Sequence, residues 1–228
     1  MGRKIIVAID GPSGAGKSTV SKLLARALNY IYVDTGAMYR ALGWKAKKEG
    51  VEPVEGPALK ALCRSTDVRL EKDGDGLKVY VDGKDVTGLI RTPEMSMMAS
   101  AVSAQPSVRE RLLELQREMG RGGGVVLEGR DIGTVVFPDA EVKFYLDADV
   151  NERAGRRYKE MTGKGVSVSI EDTVEDVKKR DYDDSHRDIA PLKKAPDAVL
   201  VDTTGRGIDE VVGELKRRVE AVRDSIGT

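Results

Sequence analysis

With 228 residues, 40% hydrophobic and 33% charged, the chain is long enough for a substantial core and reads as a globular protein of one or two domains. Its 38 basic and 38 acidic side chains cancel, which excludes a global field drawing it to nucleic acid or an anionic membrane, so any anion site must be built locally. The single cysteine, Cys63, excludes an intrachain disulfide, and with no apolar run of membrane-spanning length and no leader before the first strand the expectation is a cytoplasmic protein, with a monomer as the default.

Lys4-Ile5-Ile6-Val7-Ala8-Ile9 is a β-branched apolar run of strand length. Gly11-Pro12-Ser13-Gly14-Ala15-Gly16-Lys17-Ser18 follows and fits the phosphate-loop pattern G-x4-G-K-[ST], and from Thr19 to Leu28 apolar residues recur at helical spacing. Strand, glycine loop and helix thus come in the order that pattern needs. Glycines let backbone N–H groups turn inward on a polyphosphate and the helix start adds partial positive charge. Lys17 then reaches the terminal phosphates, and the Ser18 hydroxyl is a ligand for magnesium. A plain glycine-rich turn would need neither the Lys-Ser pair nor the flanking elements.

Tyr30-Ile31-Tyr32-Val33 reads as a second strand, after which Asp34-Thr35-Gly36-Ala37-Met38-Tyr39-Arg40 opens a helix. Thr35 is the expected N-cap. Arg40, about a turn and a half along, falls beside the carboxyl edge of the sheet, where open α/β sheets bind ligands. Trp44 signals packing alone. From Thr66 to Thr92 the pattern changes. Asp67-Val68-Arg69-Leu70 and Leu77-Lys78-Val79-Tyr80-Val81 alternate with a period of two around Asp73-Gly74-Asp75-Gly76, and a second turn at Asp82-Gly83-Lys84 precedes Asp85-Val86. A small antiparallel insert beside the main sheet is expected. Glu94–Ala104 and Ser107–Met119 read as two helices broken near Pro106, with Met95, Met97 and Met98 as core filler. Ser100 and Arg109 flank that break, either as a surface pair or converging on a cleft.

Val125-Val126-Leu127-Glu128 is a buried-strand run ending in Gly129-Arg130-Asp131-Ile132-Gly133-Thr134; Val142–Leu146 and Ala198–Val201 supply a fourth and fifth strand before a closing helix over Ile208–Ser225. Strands that alternate with helices and carry continuous apolar runs predict an α/β fold. Its five-stranded parallel sheet should be covered by helices on both faces and joined by right-handed crossovers. Between the last two strands, Arg153, Arg156 and Arg157 stand at i, i+3 and i+4, hence on one helix face. Glycines 163 and 165 and the dense charge of Arg180–Arg187 complete what reads as a mobile, arginine-bearing lid. His186, the only histidine, reads as a spectator, because phosphoryl transfer depends on positioning and charge stabilisation.

The excess of arginine has a chemical reading. A phosphoryl group in transit spreads negative charge over its equatorial oxygens and needs several cations around it. Lys17 with magnesium would serve the donor, Arg40, Arg130 and Arg187 a phosphate on the acceptor, and Arg153, Arg156 and Arg157 the group in transit. An alcohol kinase of the shikimate type would need fewer arginines. A non-enzymatic nucleotide switch or motor module would need a partner-binding arm that is not evident here.

The motifs at 11–18, 34–40 and 129–134, together with Arg-Asp and Asp-x-x-Arg-x-x-Ala-Pro-Leu within 180–192, resemble bacterial cytidylate kinases of the P-loop nucleoside monophosphate kinase family across essentially the whole chain. Asp82–Thr87 and Ile90–Pro93 resemble that family's insert. The resemblance implies transfer of the γ-phosphate of ATP to CMP or dCMP. It implies one domain over 1–228, with a core at about 1–65, 120–150 and 188–228, an acceptor-binding region at about 35–119 and a lid at about 151–187. Carried over by position, Ser100, Arg109 and Asp131 would contact cytosine, Asp184 and Arg180 the sugar, and Arg40, Arg130 and Arg187 the α-phosphate, with Thr35 where a small hydroxyl is expected. Gly11 to Thr19 would hold ATP, Ser18 the magnesium, and Lys17, Arg130, Asp131, Arg153 and Arg157 would carry catalysis. Cytosine presents an amino donor beside two acceptors, which suits a carboxylate flanked by Arg and Ser.

Overall fold

A computed structural model describes residues 4–74 and 76–226. Ile6–Asp10 (β1), Ile31–Asp34 (β2), Val125–Gly129 (β6), Val142–Asp147 (β7) and Val199–Asp202 (β8) form one parallel sheet in the order β2-β6-β1-β7-β8. β1 is its centre, with Ala8 opposite Leu127 of β6 and Ile9 opposite Phe144 of β7. The expected α/β fold with a five-stranded parallel sheet is the one observed.

The apolar runs are explained by burial on both sides. Val7, Ile9, Val126 and Phe144 pack with Leu24 of α1 (Lys17–Leu28) and with Val211 and Leu215 of α8 (Ile208–Ile226). Ala8, Val33, Val125 and Leu127 point the other way, against Ile132 and Val136 of a π-helical turn (Ile132–Val136) and Leu113 of α5 (Pro106–Gly120). Phe144 is 1% exposed. Phe144→Ala is expected to lower unfolding stability by about 4 kcal/mol, a large share of the ~5–15 kcal/mol available to a domain, with the denaturant midpoint as the check. A loss under about 1 kcal/mol would mean that the sheet face repacks.

The insert forms its own layer. β3 (Val68–Asp73), β4 (Gly76–Val81) and β5 (Lys84–Asp85) make an antiparallel sheet, with Val68 opposite Val81 and Leu70 opposite Val79. Asp75, in the expected hairpin turn, lies outside the described residues. Val79, Val81, Val86 and Ile90 pack onto α2 (Thr35–Glu49), α3 (Pro57–Ser65), α4 (Pro93–Ser103) and α5. Proline opens each of α3, α4 and α5, where its missing N–H costs no helical hydrogen bond. α3, started by Gly56-Pro57, is an element the sequence reading passed over. The segment expected to form a lid is a pair of helices, α6 (Val150–Gly163) and α7 (Ile170–His186), capped by the Asp149 and Ser169 side chains. No helix among the described residues is long and apolar enough to cross a membrane.

Two expectations are corrected. Asp34, not Thr35, caps α2: its carboxylate accepts the Ala37 N–H at 2.8 Å, while the Thr35 hydroxyl donates to the Glu128 carbonyl at 2.6 Å and so stitches α2 to β6. Of the three methionines assigned to the core, Met95 is buried and Met98 packs at its edge, but Met97 is 65% exposed, because it falls on the outward side of α4.

Candidate active site

Every strand of the large sheet is parallel, so all their carboxyl ends open on one edge, and a cleft of about 1400 Å³ lies there. The phosphate loop forms one wall. Gly11 has φ +146°, and a Cβ on it would sit 1.9 Å from the carbonyl oxygen of Leu146, so the loop can leave β1 only over bare backbone. Ser13 to Thr19 line the cleft. Lys17 is buried at the first turn of α1, and its ammonium donates to the Pro12 carbonyl at 2.6 Å. Burial and then the nearby Arg130 charge lower its pKa from the ordinary lysine value, against the pull of Glu128, Asp184 and Asp10.

Beside the loop stand carboxylates that the spacing of motifs did not single out. The Ser18 hydroxyl donates to Glu128 Oε2 at 3.0 Å, and the Tyr32 hydroxyl donates to Glu128 Oε1. Glu128 is 4% exposed; burial and then the Asp34 charge push its pKa up. Asp34 in turn holds Arg40, with Nη2 to Oδ2 at 2.9 Å. A hydroxyl with acidic neighbours is a donor set that suits a hard divalent cation. Among the described residues no group of three His, Cys, Asp or Glu side chains is placed to hold a metal ion. The signal for Glu128 was present in the sequence as an acid ending a buried strand, but only the strand order shows it adjoining the loop.

The opposite wall gathers Arg130, Asp131, Arg109, Asp184 and Arg187, drawn from β6 and its following turn, α5, and the end of α7. Arg109 and Asp131 form a buried ion pair, and Arg109 Nη1 also donates to the Ser103 carbonyl at 3.1 Å. Arg130 Nε donates to Asp184 Oδ2 at 2.6 Å. Arg187 donates through Nε to the Ala190 carbonyl at 2.7 Å and through Nη1 to Ser103 Oγ at 3.4 Å. Its Nη2 makes no hydrogen bond and lies 3.8 Å from Asp131 Oδ1. Burial pushes the Asp131 carboxyl up despite Arg109, Arg187 and Arg130, whereas at Asp184 the cost of burial is outweighed by Arg130 and the carboxyl is held below its ordinary range. Thr35, Arg40 and Ser100 line the same cleft, so Ser100 and Arg109 converge on it, and are not a surface pair. Gly129 keeps this wall tight: a Cβ there would lie 2.7 Å from Ile132 Cδ1 and 2.8 Å from Thr35 Oγ1.

The three arginines of α6 divide. Arg156 and Arg157 line the cleft, Arg156 donating to the Thr203 carbonyl at 2.8 Å and Arg157 pairing with Glu160 at 3.2 Å. Arg153 is buried instead, its guanidinium donating to the Ala148 carbonyl at 2.9 Å and the Ser13 carbonyl at 3.1 Å and pairing with Asp181 at 2.6 Å. It therefore joins α6 and α7 to the phosphate loop, a role the helical spacing of the three arginines does not reveal. Arg180 reaches across the cleft from α7 and donates to the Ser96 carbonyl of α4 at 2.8 Å. His186 stacks on Tyr182 at 4.1 Å between ring centres, on the exposed side of α7.

A cleft with a phosphate loop on one wall and paired arginines and carboxylates on the other can hold two anionic substrates with their phosphates facing. The family model described as cytidylate kinase matches residues 7–221. The chain is 51% identical over 216 residues to a cytidylate kinase of Geobacter sp. (strain M21), covering 95% of this chain and 93% of the relative. It is 48% identical over 220 residues to a cytidylate kinase of Bacillus subtilis (strain 168), covering 96% and 98%. Among solved structures, an uncharacterized protein from Eubacterium ventriosum ATCC 27560 shares the fold with a TM-score of 0.53 and 14% identity, covering 95% of this chain and 99% of that one.

Proposed function

The chain belongs to the cytidylate kinase family and transfers the γ-phosphate of ATP to CMP or dCMP, giving ADP and CDP or dCDP, and on that premise we propose how its residues divide the work. Gly11 to Thr19 hold the ATP polyphosphate, with Lys17 leaving the Pro12 carbonyl to follow the transferring group. Magnesium bound with ATP would be held through the Ser18 hydroxyl and would neutralise phosphate charge. Glu128, which accepts the Ser18 hydroxyl, keeps that oxygen oriented toward the loop. Removing divalent cations with a chelator is expected to stop turnover, and restoring Mg2+ to recover it; turnover persisting without the ion would refute its part in the reaction.

The buried Arg109–Asp131 pair carries the acceptor assignment. The pair and Ser100 present a carboxylate flanked by donors, the complement of cytosine's amino group, N3 and O2. Asp184 and Arg180 serve the sugar. Arg40, Arg130 and Arg187, already grouped around Asp34 and Asp184, take the α-phosphate. Arg156 and Arg157, which line the cleft, stabilise the group in transit from the lid side, while Arg153 holds the lid to the phosphate loop. Catalysis then consists of positioning and charge compensation. Uracil places a carbonyl where cytosine has its amino group, leaving Asp131 facing an acceptor, so UMP should be the poorer substrate.

The single buried cysteine, which can form no intrachain disulfide, supports a cytoplasmic enzyme, and we take it to act as a monomer. A core over about 1–65, 120–150 and 188–228, an acceptor region over about 35–119 and a lid over about 151–187 is the division that accords with this chemistry. The test is ADP formation from MgATP with CMP, dCMP, UMP, AMP, GMP and shikimate presented singly. Production of CDP and dCDP above all others is expected; UMP turned over as well as CMP would overturn the assignment of Asp131.

A further inference from the structure

The two walls of the cleft rest on neighbouring strands, and one side chain belonging to neither ties them together. Asp10 ends β1 directly before Gly11 and is 4% exposed. Its Oδ1 accepts the Ile132 N–H at 2.8 Å and its Oδ2 the Gly133 N–H at 2.7 Å. These are the peptides immediately after Arg130 and Asp131, at the opening of the π-helical turn. Asp131 has φ −145° and ψ 24°, where the chain passes from β6 into the π-helical turn. The clamp is close-fitting as well: a Cβ on Gly133 would lie 3.1 Å from Lys143 Cδ and 3.4 Å from Asp10 Oδ2. Among side chains of this length only an ionised carboxylate accepts two N–H bonds and brings no hydrogen of its own.

We propose that Asp10 is a positioning residue for the acceptor: its ionised carboxylate pins the 132–133 backbone so that Arg130 and Asp131 meet the nucleotide in register with Lys17. The proposal rests on the assignment of Arg130 and Asp131 to the acceptor given above. The charged and titratable groups that face Asp10 are Asp131 behind the clamp, Lys17 across the loop, and Tyr145 and Lys143 from β7. Burial outweighs the two N–H bonds and pushes the Asp10 carboxyl up to about 6. Protonation sets an O–H against an N–H and opens the clamp, so function needs the charged form while burial favours the neutral one. The folded value lies above the ordinary 3.8, so Asp10 costs stability increasingly as pH rises from about 4 to about 6.

Activity and stability should therefore move in opposite directions in Asp10→Asn. At about pH 7.5 the KM for CMP is expected to rise about tenfold or more with the KM for ATP within about twofold, and the wild-type advantage in kcat/KM should shrink below about threefold near pH 5. Over the same interval from low to high pH the melting temperature of the variant should rise relative to wild type. A merely structural Asp10 would lower activity and stability together. A folded variant with its KM for CMP within about twofold of wild type, or with both KM values raised in parallel, overturns the proposal. Asp131→Asn in the same assay separates the two layers. Loss of CMP selectivity there with a normal Asp10→Asn defeats the Asp10 proposal alone, whereas selectivity retained in Asp131→Asn defeats the acceptor reading and this proposal with it. If Asp10→Asn does not fold, amide exchange in the wild-type protein decides: protection at Ile132 and Gly133 should fall as pH drops through about 6 while that at Val126 and Leu127 holds, and unchanged protection overturns the proposal.

Discussion

Lys17→Met is expected to lower kcat about 10³-fold, a loss of about 4 kcal/mol of transition-state stabilisation, with the KM for CMP little changed. The methionine keeps the length and burial of the side chain and removes only the charge, which is needed most when negative charge spreads over the group in transit. Lys17→Arg should not restore the rate, because a planar guanidinium cannot occupy the tight turn that a single ammonium fills. Steady-state kinetics with saturating MgATP is the measurement, and a fall of less than about tenfold would move the charge compensation to the arginines. Stability should respond the other way. Burial and Arg130 lower the Lys17 pKa from its unfolded value, so the ligand-free folded state disfavours the ammonium, and stability rises with pH between the lowered value and 10.5. At neutral pH the cation is a cost. Its removal should raise the melting temperature of the ligand-free protein, by about 2–4 °C for each ~1 kcal/mol relieved.

Asp131→Ala is expected to lower kcat/KM for CMP about 10²–10³-fold while leaving UMP, already mismatched, far less affected, so that selectivity between the two collapses. It should also be the more fragile variant. Arg109 is 8% exposed and its buried guanidinium would lose its carboxylate, a change that costs about 3–5 kcal/mol when one partner of a buried pair is removed. Asp131→Asn retains an acceptor for Arg109 and separates the effects: selectivity should still fall, with a smaller drop in melting temperature. Ratios of kcat/KM for CMP and UMP, measured for both variants alongside thermal unfolding, check this. Unchanged ratios in a folded Asp131→Ala protein would place base recognition elsewhere.

Where local chemistry decides local structure, the sequence was sufficient. The glycines and the Lys-Ser pair of 11–18, the apolar runs of β1 and β6 and the alternation on either side of Gly74 each specify an element without reference to the rest of the chain. The site was legible wherever its residues sit inside such segments. What escaped depends on long-range register. Glu128 matters because β6 lies beside β1, Asp10 because the turn after β6 comes back across β1, and Arg153 because α6 packs over the phosphate loop, and no spacing along the chain encodes these adjacencies. Asp34 and Thr35 show the local limit. Both are good capping residues, and which of them caps was decided by the Glu128 carbonyl, which takes the Thr35 hydroxyl.

The central position of β1 has a consequence for how the protein comes into being. The strand that launches the phosphate loop is made first, yet both of its hydrogen-bonding neighbours, β6 at Val125–Gly129 and β7 at Val142–Asp147, are made more than half a chain later. At ribosomal speeds of ~5–20 residues per second, Ile5 to Ile9 stay without a sheet for roughly ten seconds, while the insert between them can already close on its own short-range hairpin and helices. A chain that stops before residue 125 holds the nucleotide-binding signature and the strand that carries it, but neither of that strand's pairing partners. Such fragments should be the aggregating species whenever translation stalls, and the insert the first part of a nascent chain to resist protease.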